Sequence, residues 1–174
     1  MNEAVLLATY LPSKMKTYFQ KKLPNDEDEW RDTKITELLK YLYLASISDD
    51  DGPILFSQEV DDVWHYWILQ TRQYRELCSE LPGRKFLNHS SNDYPPTGAE
   101  FDEVPASALQ NRALQYFCNY YATFGGFTES STKAWPWLAL IRSVCGGDVD
   151  SINAFLREKI SQYSLSNSEP APVC

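Results

Sequence analysis

Between Gln58 and Leu81 the sequence carries Val60, Trp64, Trp67, Thr71, Tyr74, Cys78 and Leu81, in which steps of four and three residues alternate. At about 3.6 residues per helical turn this spacing lines all seven along one side. Gln58, Asp61, Arg72 and Glu76 fall on the other side. A stripe holding two tryptophans has to be covered by further structure, so the spacing predicts one helix over Gln58–Leu81 packed into a core. Pro82-Gly83 supplies its stop.

The remaining segments read as helices too. Trp30, Ile35, Leu38, Leu39, Leu42 and Ala45 repeat at helical spacing, and Asp26-Glu27-Asp28-Glu29 places carboxylates at the positive end of the helix dipole. A helix from about Glu27 to Ser46 follows. Leu109, Leu114, Phe117, Tyr120, Tyr121 and Phe124 predict another over Ala106–Phe124, stopped by Gly125-Gly126. Two more are expected at about Lys133–Cys145, ended by Gly146-Gly147, and about Asp148–Tyr163, with Asp148 as N-cap. Strand-like alternation is absent. The expectation is therefore an all-α, single-domain helical bundle of about five to six helices. It spans residues 1–165, with one long loop over about 84–105 and a polar C-terminal tail over 166–174. A loop of that length within a domain more often serves function than connection. Asp49-Asp50-Asp51-Gly52-Pro53 imitates a calcium loop, but its end ligand positions would be Ile47 and Gln58, so it reads as a solvated turn.

Composition narrows the function classes. The 174 residues carry a net charge of −8, which disfavours a nucleic-acid backbone or an anionic membrane as the main partner, since both require a basic face. No stretch approaches the roughly 20 apolar residues that span a bilayer. Met1–Ala8 has an acid where a secretory leader has basic residues, so the expected compartment is the cytoplasm. Cys78, Cys118, Cys145 and Cys174 form no CxxC pair and read as reduced thiols, three of them in core positions. There is no glycine-rich phosphate loop.

One stretch carries a functional signal. Val60-Asp61-Asp62-Val63-Trp64-His65-Tyr66-Trp67-Ile68-Leu69-Gln70-Thr71-Arg72-Gln73-Tyr74, followed by Cys78, Gly83 and Phe86-Leu87-Asn88-His89, resembles the motif of the glycine-rich domain-containing-protein-like family. That motif runs approximately V-D-x-x-W-H-x-H-I-L-x-T-x-x-Y, then C, G and a late His-His. The likeness covers Ser57–His89, with a weaker echo at Tyr41–Leu44. It implies a helical fold and a histidine site, with Trp64, Thr71 and Tyr74 as further motif positions. The sequence departs from the pattern twice: Trp67 stands at the second histidine position, and Asn88-His89 at the late pair. Residues two apart on a helix lie about 200° apart, so a His-x-His pair there cannot hold one ion together. The face of His65 therefore survives the loss.

His65 and His89 are the two histidines of the chain, and Asp61 precedes His65 by one helical turn. If His89 is brought to them, Asp61, His65 and His89 make a two-histidine, one-carboxylate set suited to zinc or iron. The alternative is that Asp61 merely holds the tautomer of His65, with His89 packing nearby. Cys78 with either histidine would make a nucleophile and base, but its place on the apolar stripe marks it as inert core. Tyr116, Phe117, Tyr120, Tyr121, Phe124, Phe127, Trp135 and Trp137 would line an apolar ligand pocket or, as their spacing favours, pack as core. Three functions remain open. The leading one is an acidic interaction protein that binds and blocks or regulates a basic protein partner, in the manner of an immunity or inhibitor protein, with no cofactor. The others are a metal-binding protein or metal-dependent enzyme, and a binder of an apolar small molecule.

Overall fold

The computed structural model describes residues 1–48, 56–89 and 106–166. Among them are nine helices and no strand: α1 (Glu3–Tyr10), α2 (Ser13–Lys22), α3 (Asp28–Ile47), α4 (Gln58–Leu69), α5 (Thr71–Glu80), α6 (Ala106–Phe124), α7 (Glu129–Thr132), α8 (Leu138–Cys145) and α9 (Val149–Ser166). The chain is all-α, with more helices than the five to six expected. The extra ones are short. The Asn2 side chain caps α1 by accepting from Val5 N–H, and Pro12 separates it from α2, whose Met15 and Phe19 are buried. Neither helix is long enough for its periodicity to stand out in the sequence.

α3 is the axis of the fold, packed against α1, α4, α6 and α7. Its apolar positions Ile35, Leu38, Leu39 and Leu42 are buried as its spacing predicts. So are Arg31, Lys34, Glu37 and Lys40, because neighbours close around the helix on all sides.

The helix expected over Gln58–Leu81 is broken at Gln70 into α4 and α5. Neither glycine nor proline is needed for the break. The Gln70 N–H turns back to Trp67 O (2.9 Å) and its carbonyl accepts from Tyr74 N–H (2.9 Å), so both ends are satisfied at the junction. Trp64, Trp67, Tyr74, Cys78 and Leu81 are all buried, whereas Thr71, at the start of α5, is exposed. Periodicity alone cannot register a bend that keeps the apolar residues inward.

The helix expected from Lys133 begins only at Leu138. Pro136 disfavours helical geometry at Trp135, and a capping box between Thr128 and Ser131 opens the separate turn α7 upstream. Asp148 caps α9 by accepting from Ser151 N–H at 2.6 Å. Phe117, Tyr120, Phe127 and Trp135 pack as core, Tyr120 and Phe127 stacking at 4.3 Å. Cys78 and Cys118 are buried thiols and Cys145 is half-buried. The Asp49–Pro53 turn, most of the 84–105 loop, Cys174 and nearly all of the 166–174 tail lie outside the described residues. No helix among the described residues is long and apolar enough to cross a membrane.

Candidate metal centre

Three candidate ligands reach one place by two routes. Asp61 and His65 stand four apart on α4, which makes them neighbours by helix geometry alone. His65 Nδ1 lies 2.9 Å from the Asp61 backbone oxygen and 3.3 Å from its Oδ2. His89 arrives from the segment after α5. Its Nε2 lies 2.7 Å from Asp61 Oδ1, and its ring centroid is 4.4 Å from that of His65. The carboxylate of Asp61 thus stands between two imidazoles.

The route of His89 is set by contacts of Gly83, Leu87, Tyr74 and Trp64. Arg84, with a left-handed φ of 48°, turns the chain after Pro82-Gly83. Gly83 passes so close to the end of α3 that a Cβ there would lie 1.6 Å from Ser46 O, and its N–H donates to Ser46 Oγ at 3.3 Å. Only glycine fits this crossing. Beyond it Leu87 is buried and its carbonyl accepts from the Tyr74 hydroxyl at 2.6 Å. That hydroxyl in turn accepts from Trp64 Nε1–H at 3.0 Å. Burial, foremost among its causes, pushes the Tyr74 hydroxyl far above the ordinary tyrosine range, which keeps it a neutral donor. The Trp64 ring also meets the His89 ring edge-on at 4.3 Å. Trp64 and Tyr74, read from the sequence as core, therefore also hold the segment that carries His89. Thr71 is not among the residues brought together.

Exposure differs across the set. The side chain of His89 is 7% exposed, that of Asp61 15% and that of His65 50%. The three ligand atoms all lie within 4.8 Å of one another. An ion at about 2.0–2.2 Å from all three ligands at once holds them roughly 3.3–3.8 Å apart, so closure draws the widest-spaced pair together by as much as about 1 Å. The half-exposed His65 is free to make that shift. The donor set of two imidazoles and one carboxylate fits zinc or ferrous iron and leaves further coordination positions for other ligands.

A family model described as UCP032817-like matches residues 2–104. The chain belongs to the UCP032817-like family. The matched stretch contains α1 to α5 together with Asp61, His65 and His89, and it ends before α6. No curated protein matches the chain, and no solved structure does.

A second polar cluster gave no sign of itself in the sequence. Glu37, its side chain 1% exposed, accepts from Lys40 Nζ at 2.8 Å and from the Tyr120 hydroxyl and Trp135 Nε1–H, each at 2.7 Å. Lys40 also donates to Glu3 (2.7 Å) and to Tyr120 (2.9 Å), which uses all three of its protons. Burial raises the pKa of Glu37, against the lowering pull of Lys40 and the three hydrogen bonds. Glu37 and Lys40 are three apart, a spacing that in sequence reads as an ordinary exposed helix pair. Only the arrival of Tyr120 and Trp135 from distant helices makes it core.

Proposed function

We propose that this protein binds a divalent transition-metal ion, zinc or ferrous iron, through Asp61, His65 and His89. The observation that carries the reading is the 2.7 Å approach of His89 Nε2 to Asp61 Oδ1 across 28 residues of sequence, at a point where Asp61 already meets His65. Two imidazoles from separate parts of the chain that meet on a single carboxylate make the donor set a divalent transition-metal ion takes. When bound, the ion would supply Lewis acidity or, if iron, redox chemistry. The protein's part is to present three ligands from one side and shield the inner two from water. The test is metal analysis of full-length protein purified without an affinity tag, followed by Zn2+ titration against a chromophoric chelator. One equivalent bound by the wild type and none by His65→Ala is expected. Equal uptake by both would remove the reading.

A second reading, the acidic interaction protein, draws on a notch lined by Asn25, Asp26, Glu27, Trp30, Glu59 and Lys133, where Trp30 Nε1–H donates to Glu59 at 3.4 Å. Lys34 already pairs with Asp26 and lies over the Trp30 ring, so the exposed carboxylates of Glu27 and Glu59 are the groups that suit a lysine- or arginine-bearing segment of a basic protein. Association with such a partner should slow as salt rises, chiefly through the on-rate, and salt-independent association would dismiss it.

A further inference from the structure

We infer that Tyr74 is the positioning residue of the metal centre, fixing His89 through the Leu87 carbonyl. The inference rests on the metal reading above and assigns the part of the site that is not given by helix geometry. Asp61 and His65 need nothing beyond α4 to be neighbours. His89 comes from a non-helical segment with no ladder of backbone hydrogen bonds of its own, so its position is set by what grips that segment.

Contacts along the segment supply the grip, the Tyr74 ring also meeting Phe86 edge-on at 5.5 Å. Gly83 seats the start of the segment on Ser46 at the end of α3. Leu87 is buried two residues before His89. The Tyr74 hydroxyl donates to Leu87 O at 2.6 Å while Trp64 Nε1–H donates to it at 3.0 Å. The tryptophan fixes the hydroxyl's orientation, since an oxygen that accepts from the indole must turn its own proton toward Leu87. Trp64 then closes the arrangement by meeting the His89 ring. Removing the hydroxyl leaves the Tyr74 ring in the core but frees the Leu87 carbonyl, and His89 with it. Loss of a group that orients a metal ligand typically lowers affinity by about 10- to 100-fold.

The experiment compares wild type, Tyr74→Phe and Trp64→Phe by Zn2+ titration and, on the metal-free proteins, by the ring resonances of His89 in NMR. Tyr74→Phe should bind Zn2+ about 10- to 100-fold more weakly. Its His89 signals should move from those of a ring hydrogen-bonded to a carboxylate toward those of a free imidazole, while the circular dichroism spectrum is retained. Wild-type affinity with unmoved His89 signals overturns the inference. If wild type takes up no Zn2+, the metal reading falls, and the metal-free His89 signals still decide whether Tyr74 positions the ring. Should Tyr74→Phe fail to fold, Trp64→Phe decides. It removes the donor that orients the hydroxyl, and unchanged affinity and His89 signals in that variant also overturn the inference.

Discussion

Two clusters in this protein are built around a carboxylate, and they differ in what is left over. At Glu37 the groups that touch the carboxylate are themselves buried: lysine, tyrosine and tryptophan converge on it from α3, α6 and the turn before α8, while the exposed Glu3 of α1 takes the remaining proton of the lysine. At Asp61 the carboxylate is shared by two imidazoles, one of them half exposed. A closed, fully satisfied network holds helices together, and exchanging any member leaves a buried group unpaired. An open one can trade a proton for an ion without disturbing the core. Burial of the remaining partners, more than the chemistry of the carboxylate, separates a structural cluster from a candidate binding site.

That contrast can be broken by mutation, beginning with the largest effect. Glu37→Ala takes the shared acceptor from Lys40, Tyr120 and Trp135 inside the core and should cost about 3–5 kcal/mol in denaturant unfolding. A loss below about 1 kcal/mol would place Glu37 with exposed ion pairs, whose contribution is of that order. Gly83→Ala should come next, destabilising by more than about 1 kcal/mol because the new Cβ has nowhere to go, and it should weaken Zn2+ binding by displacing His89. A variant of wild-type stability and affinity would show that the crossing at Ser46 does not place the segment.

The pH dependence sharpens the comparison further. Because burial raises the folded-state pKa of Glu37 above its unfolded value, its contribution is full below the ordinary glutamate value of about 4.3 and is lost as pH rises through the raised one. Glu37→Gln cannot titrate. Its stability relative to wild type should therefore improve as pH rises from acid toward neutrality, and the opposite drift would show that the attraction of Lys40 outweighs desolvation. The smallest stability effect is expected at the open cluster. His65→Ala should change unfolding free energy by no more than about 0.5 kcal/mol, as for other exposed positions, while abolishing Zn2+ uptake. A cost comparable to that of Glu37→Ala would erase the distinction.

How much of this was legible in the sequence follows from the range of each interaction. Spacing along one helix is local, so α3, α6, the inward side of α4 and α5, and the pairing of Asp61 with His65 could all be read directly. The arrival of His89 was indicated only by the motif resemblance. The break at Gln70 was hidden because it preserves the apolar register. The Glu37 cluster leaves no mark in the sequence because Tyr120 and Trp135 lie far along the chain. Tyr74 was recognised by its ring, but its hydroxyl acts on Leu87 by a contact that periodicity does not encode.

The separations that hid some contacts and revealed others also rank the closures by entropic cost. Glu37 and Trp135 are 98 residues apart, whereas Asp61 and His89 are 28 apart and Tyr74 and Leu87 only 13. Chain-closure entropy grows with the logarithm of loop length, so the longer of the first two closures costs about 1 kcal/mol more than the shorter. The Tyr74–Leu87 clasp is cheaper still. The segment bearing His89 therefore closes onto α4 and α5 at a smaller entropic cost than the long-range locking of Glu37, and the three candidate ligands are held by the more local part of the fold.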